Sequence, residues 1–230
     1  MSDATDRAPS GGEAHPPKFP RDGVEFNRII NLTDAVAAIA LTILVLTLDV
    51  PTTTGDAATA DMGEILDGLW PSVFAFLLSF AIIASSWYKH HRFVARLGGL
   101  DGAMVVWNFV WLLALVLVPF ASDLIGTYGA NPSGVALYAA MMGALYLIGL
   151  AGYQVARFRG LLTEELTAAQ RRARLYDDAV PAACFLGSIP ATLVTGSTSV
   201  GYYLWIAIWP LSSVTGHHRG RVDAAAALGT

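Results

Sequence analysis

The chain has 230 residues, 54% of them hydrophobic and only 14% charged, with a mean hydropathy of +0.52. An ordinary soluble domain carries about a quarter of its residues as charged side chains, so this composition excludes one and points to an all-α integral membrane protein. The net charge of −4 decides little, because placement matters more than sum, and the single cysteine, Cys184, excludes an internal disulfide or a cysteine-built metal centre and reads as packing in an apolar run.

Residues 1–24, rich in Pro, Gly, Asp and Ala, hold no apolar core of the kind a secretory signal needs and read as a disordered tail. Residues 25–216 form the membrane domain, and 217–230 a second tail. The first apolar segment, about Phe26 to Val50, is long enough to cross a hydrocarbon core of ~30 Å, yet its opening turns carry Arg28, Asn31 and Asp34. At 100° per residue, Arg28, Leu32, Ala35, Ile39, Thr42, Leu46 and Asp49 share one stripe, while Asn27, Asn31 and Asp34 form a second and polar one. Arg28 and Asp34 are six apart and do not face each other, so each needs partners from other segments.

Pro51 and the turn-forming residues after it end this helix. Further spans are expected at about Met62–Trp87, with Trp70-Pro71 starting or kinking it, then Gly102–Asp123, Ser133–Arg157, Tyr176–Val194 and Val200–Thr215, the last being the shortest. A short charged helix opening at Thr163-Glu-Glu-Leu is expected before the fifth. Six spans put both termini on one side. All 14 Lys and Arg residues then fall on that side, and the alternate loops carry only acids, among them Asp49, Asp56, Asp61, Glu64, Asp67 and Asp123. Because cytoplasmic loops hold the excess of Lys and Arg, both termini are expected in the cytoplasm of a cell whose plasma membrane holds the protein.

An ionisable group inside a membrane is a functional candidate, so Asp34 can be an ion ligand or proton carrier; its place on the Asn27/Asn31 face favours a structural role. His90 and His91 are adjacent and point about 100° apart, which prevents them from chelating one metal ion as a pair. A hydrogen bond from one of them to Asp34 or Asn31 fits better. His217-His218 reads as a solvated cap, and Arg171-Arg172-x-Arg174 as a topology determinant that also suits anionic lipid. No phosphate-binding loop, dinucleotide fingerprint or Ser/His/Asp constellation is present, which argues against an enzyme, and there is neither a Thr-Val-Gly-Tyr-Gly filter nor an arginine-repeat voltage sensor.

Arg28-Ile-Ile-Asn-Leu-Thr33-Asp34 resembles the first-helix signature Arg-x-x-x-Phe-Ser-Asp of the transmembrane protein 175 family of potassium channels, with Leu32 in place of Phe and Thr33 in place of Ser. Trp87-Tyr-Lys-His90-His91-Arg-Phe and the segment from Asn108 to Pro119-Phe120 resemble that family's second and third helices, and the likeness covers roughly residues 26–215. It implies a potassium-selective leak-type channel, built as a homotetramer with helix one of each copy lining a central pore. It also implies an apolar constriction at Ile39, Ile43 and Leu46, ion preference set at Thr42, and a polar network among Arg28, Asn31, Thr33, Asp34, Trp87, Asn108 and one of His90 and His91.

The residues themselves support part of this. Ile39, Thr42 and Leu46 make a candidate pore face, Ala35, Ala37, Ala38 and Ala40 allow close helix approach, and Asp49 would concentrate cations at an external mouth. Potassium is expected as the permeant ion, with no cofactor, no metal, no nucleic acid and no obligate protein partner beyond the lipid bilayer. Two other readings stand beside the channel: a proton-coupled or ion carrier relaying through Asp34 and a histidine, and a non-conducting membrane scaffold.

Overall fold

The computed structural model describes residues 18–48, 62–163 and 167–207. Helix α1 (Val24–Ile43) leaves extended backbone at Gly23 and is followed by a 3-10 helix over Leu44–Thr47. The first span was expected to stay α-helical to about Val50, and it tightens sooner. Thr42 Oγ1 and Thr47 Oγ1 donate to the carbonyls of Ile39 and Leu44 at 2.9 and 2.8 Å, in a stretch dense with β-branched residues that gain little from α geometry. Because a 3-10 helix turns every three residues and rises about 2.0 Å per residue, Leu46 swings off the strict 100° stripe and sits farther from Ile39 than α spacing predicts.

Helix α2 (Met62–Val94) runs unbroken through Pro71 for 33 residues, past the expected end at Trp87, so His90 and His91 lie within it. The expected third span is divided into α3 (Gly102–Val116) and α4 (Val118–Tyr128) around Leu117. Pro119, without an N–H, cannot complete the helical ladder there. Helix α5 (Pro132–Phe158) is followed by α6 (Ala168–Thr195), which opens on a capping box between Thr167 and Gln170. The charged helix predicted to open at Thr163 has residues 164–166 outside the described residues, and from Ala168 the chain runs on as one helix with the fifth span. Gly196, at φ 65°, ends α6 and lets the chain reverse into α7 (Thr198–Ile206). The remainder of the predicted sixth span lies outside the described residues, as do Asp49 and His217-His218.

Among the described residues, five stretches are long and apolar enough to cross a membrane, with α1 and its 3-10 extension counting as one and α3 with α4 as another. Helix α5 packs along α6, α2 along α4, and α1 against α2, α3 and α4. At one end, Tyr138, Phe185 and Trp205 form an aromatic knot in which Tyr138 shares a 3.0 Å hydrogen bond with Ser79 and Trp205 Nε1 donates to Ser188 Oγ at 3.0 Å. At the other, basic end, strand β1 (Phe19–Pro20) pairs antiparallel with β2 (Gly99–Leu100). The amides of Gly98 and Thr163 donate to the carbonyls of Leu161 and Arg96, joining the α2–α3 loop to the end of α5. Strand β1 falls within the segment read as a disordered tail, so ordered chain begins ahead of that boundary.

Candidate functional site

The site grows from two adjacent residues of α1. Thr33 and Asp34 point about 100° apart, so each addresses a different neighbouring helix. Asp34, half-buried, accepts a 2.9 Å hydrogen bond from Trp87 Nε1 of α2. Thr33, fully buried, donates to Ile29 O at 2.9 Å and accepts from Asn108 Nδ2 of α3 at 2.8 Å. The other end of the same amide, Asn108 Oδ1, lies 2.9 Å from His90 Nε2. An amide oxygen only accepts, so His90 donates through Nε2; in a neutral ring Nδ1 is then the acceptor. The donors thus run in one direction, from His90 to Asn108 to Thr33 to Ile29.

Aromatic packing holds this chain in place. The His90 ring stacks on Trp111 at 4.2 Å and on Trp107 at 5.7 Å. Trp107 Nε1 donates to Ile148 O at 2.7 Å, and its ring presses so closely on α5 that a Cβ at Gly152 would lie 2.0 Å from it. Only glycine fits that position without moving the tryptophan.

The geometry corrects several sequence expectations. Neither histidine bonds Asp34 or Asn31: His90 takes Asn108, and His91 is exposed with its ring 5.7 Å from Trp87. Arg28 and Asn31 do not enter the network. Asn31 precedes Thr33 by two residues and so points about 200° away, and both side chains lie exposed on the outer side of α1 with no side-chain bond among the described residues. Ile39, Ile43 and Leu46 are 54%, 46% and 73% exposed, and Thr42 is exposed between them. Among the described residues no three His, Cys, Asp or Glu side chains come together as a metal-binding group.

Other members were missed. Lys89 reaches Asp178 Oδ1 at 3.2 Å and Asp177 O at 2.6 Å, tying α2 to α6, while its ammonium lies 4.7 Å from the Tyr146 ring. Arg174, read as part of a basic run, lies over Phe93 and Tyr153 at 5.2 and 5.6 Å. Asp101 caps α3 by accepting from Met104 N and also pairs with Arg159. The signal for the first pair was legible, since two carboxylates at Asp177-Asp178 enter an apolar span and call for a cation from another helix.

The helices and the buried network define a multi-pass membrane protein whose first three spans are bolted together by polar side chains near the basic end. Residues 28–119 match the family described as endosomal/lysosomal potassium channel TMEM175. A relative from Chamaesiphon minutus, named a potassium channel, is 35% identical over 127 residues, a stretch covering 54% of this chain and 62% of that protein. The chain spans about three fifths of the length of such curated bacterial relatives. The human relative, named endosomal/lysosomal proton channel TMEM175, is 24% identical over 85% of this chain and 40% of its own length. The crystal structure of a lysosomal potassium-selective channel TMEM175 homolog from Chamaesiphon minutus superposes with a TM-score of 0.66 at 25% identity, covering 86% of this chain and 97% of that one.

Proposed function

We propose that this chain is one subunit of a leak-type, potassium-permeable channel of a plasma membrane, in which α1 of each of four copies lines a central pore. Each subunit has six spans, and both termini face the cytoplasm. What supports the reading is the composition of the outer face of α1. Ile39, Ile43 and Leu46 are exposed there together with Ala35, Ala38, Thr42 and Asn31. A face meant only for lipid has no use for an asparagine, a hydroxyl and small residues on the same stripe, whereas a face turned to an aqueous axis and to identical helices uses all three.

In this reading Ile39, Ile43 and Leu46 make apolar rings that close the pore by excluding water. Thr42 makes a ring of hydroxyls. Its proton is committed to Ile39 O at 2.9 Å, so the lone pairs of Oγ1 are free to replace part of an ion's hydration shell. Asp49 concentrates cations at the external mouth. The Thr33–Asn108–His90 chain and the Asp34–Trp87 bond hold α1 at a set angle to α2 and α3, which fixes the radius of the rings.

The carrier alternative has in its favour the proton-channel name of the human relative. Against it, Asp34 bonds Trp87 and His90 bonds Asn108, so the two groups it would use as a relay do not bond each other. Purified protein in liposomes under a potassium gradient separates the readings. Fast passive flux that does not saturate is the expected result; saturable flux would indicate a carrier, and no flux a scaffold. Cysteines at Thr53 and Asn131 should react with an impermeant thiol reagent from outside, and ones at Gly99 and Gly160 should not.

A further inference from the structure

Beside His90 lies a small cavity of about 20 Å³ lined by residues of α2, α3, α5 and α6. Among the residues lining it are Ser86, Lys89, His90, Tyr146 and Asp178. Ser86 is only 6% exposed, and its hydroxyl is buried with no hydrogen-bond partner among the described residues. A buried hydroxyl without a partner costs about 1–3 kcal/mol, so such groups are normally satisfied. The cavity also borders His90, whose Nδ1 is the acceptor nitrogen because Nε2 donates to Asn108. A cavity needs roughly 10–15 Å³ of this kind to hold one water, which then bonds two to four polar groups.

We propose that this cavity is a binding site for a single ordered water that donates to His90 Nδ1 and bonds Ser86 Oγ and the Lys89–Asp178 pair. A dry cavity of this lining would strand the serine hydroxyl and the imidazole nitrogen together. Size excludes anything much larger than water, and the ammonium of Lys89 disfavours a metal cation. A second cavity of about 30 Å³, lined by Tyr88, Arg92 and Asp177, adjoins the first, sharing Lys89, Arg174 and Asp178 with it. The bound water completes a hydrogen-bonded path from Asp178 of α6 through Lys89, His90 and Asn108 to Thr33 of α1. It thereby couples the position of the fifth span to that of the first, and it holds His90 in the tautomer that serves Asn108.

The site can be tested without measuring conduction, so its failure is distinct from failure of the channel reading. Full-length protein in liposomes, with His15, His91, His217 and His218 changed to Gln, leaves His90 as the one histidine for ¹⁵N solid-state NMR with magnetisation transferred from water. The expected result is a neutral ring protonated at Nε2, with Nδ1 hydrogen-bonded and receiving transfer from water. Gly149 borders the cavity, and a Cβ there meets Asp178 at an ordinary 3.6 Å, so Gly149→Ala and Gly149→Val intrude into the water's space from a tolerated position. The transfer should fall in Gly149→Ala and be lost in Gly149→Val, with Nδ1 moving to the resonance of a free acceptor. Ser86→Ala should weaken it. A dry Nδ1 in the unmodified cavity, a ring protonated at Nδ1, or transfer undiminished in the Gly149→Ala protein would each overturn the proposal.

Discussion

The two sides of α1 are built from opposite kinds of side chain. Toward its own protomer it presents Thr33, Ala37, Ala40 and Leu44, each at most 3% exposed; away from it stand Leu32, Ile39, Ile43 and Leu46, all at least 46% exposed. In a soluble helix the bulky residues would face inward. Here the inner face is chosen for close approach of backbones, and the bulky residues are left to the outer face. Two alanines bring the backbone of α1 near its neighbours, and this closeness lets short polar side chains such as Thr33 and Asp34 reach α3 and α2. The inner face therefore determines where the helix sits, and the proposed channel assigns conduction to the outer face.

The largest effect expected is on the inner side. Asn108→Leu removes the one group that bonds both His90 and Thr33; it strands the buried Nε2–H of His90 and takes from Thr33 the bond it accepts, at a cost of about 2–4 kcal/mol. Thermal unfolding in detergent should show a markedly lower midpoint and a loss of assembled protein. A stability equal to the parent's would mean that Asn108 is not the joint of the network.

Asp34→Ala comes next. Its carboxylate is half-buried and receives one bond, from Trp87, so a loss of about 1–2 kcal/mol is expected. The same unfolding measurement, paired with flux, sharpens the contrast between the faces. A variant of unchanged stability that has lost flux would move Asp34 from the structural side to the transport side.

On the outer face the order of effects reverses. Ile39→Asn and Leu46→Asn bury no new polar atom within the protomer, so stability should change by less than about 0.5 kcal/mol. Leak current in planar bilayers should rise, since in the proposed channel each variant wets an apolar ring. Parent-like current in both would show that this face does not meet the conducting path. Thr42→Ala should have the smallest effect on the fold, because only a hydroxyl bonded to its own helix is lost. Its expected signature is a shift of reversal potential under mixed potassium and sodium, with little change in total conductance.

Much of this was present in the sequence before any coordinates. Length and hydropathy of an apolar run determine that it will lie in a membrane, because backbone and side chains together leave no other stable place for it, and the one-sided lysines and arginines order the spans. The periodicity of α1 likewise separated Ile39 and Thr42 from the Asp34 face. Tertiary structure decided the partners. Whether Asp34 meets a histidine or a tryptophan depends on how far α2 runs past Trp87 and on its rotation relative to α1, and neither quantity is encoded in the residues of α1 alone. The same holds for Arg28 and Asn31, which a list of polar residues groups with Asp34 but which the 200° between Asn31 and Thr33 turns outward. The end of α1 at Ile43 was hidden for a related reason: β-branched residues and threonines are compatible with either helix type, and the choice rests on hydroxyl-to-carbonyl bonds worth little individually. Lys89 and Asp178 lie 89 residues apart, and only the packing of α6 on α5, beside α2, made them a pair.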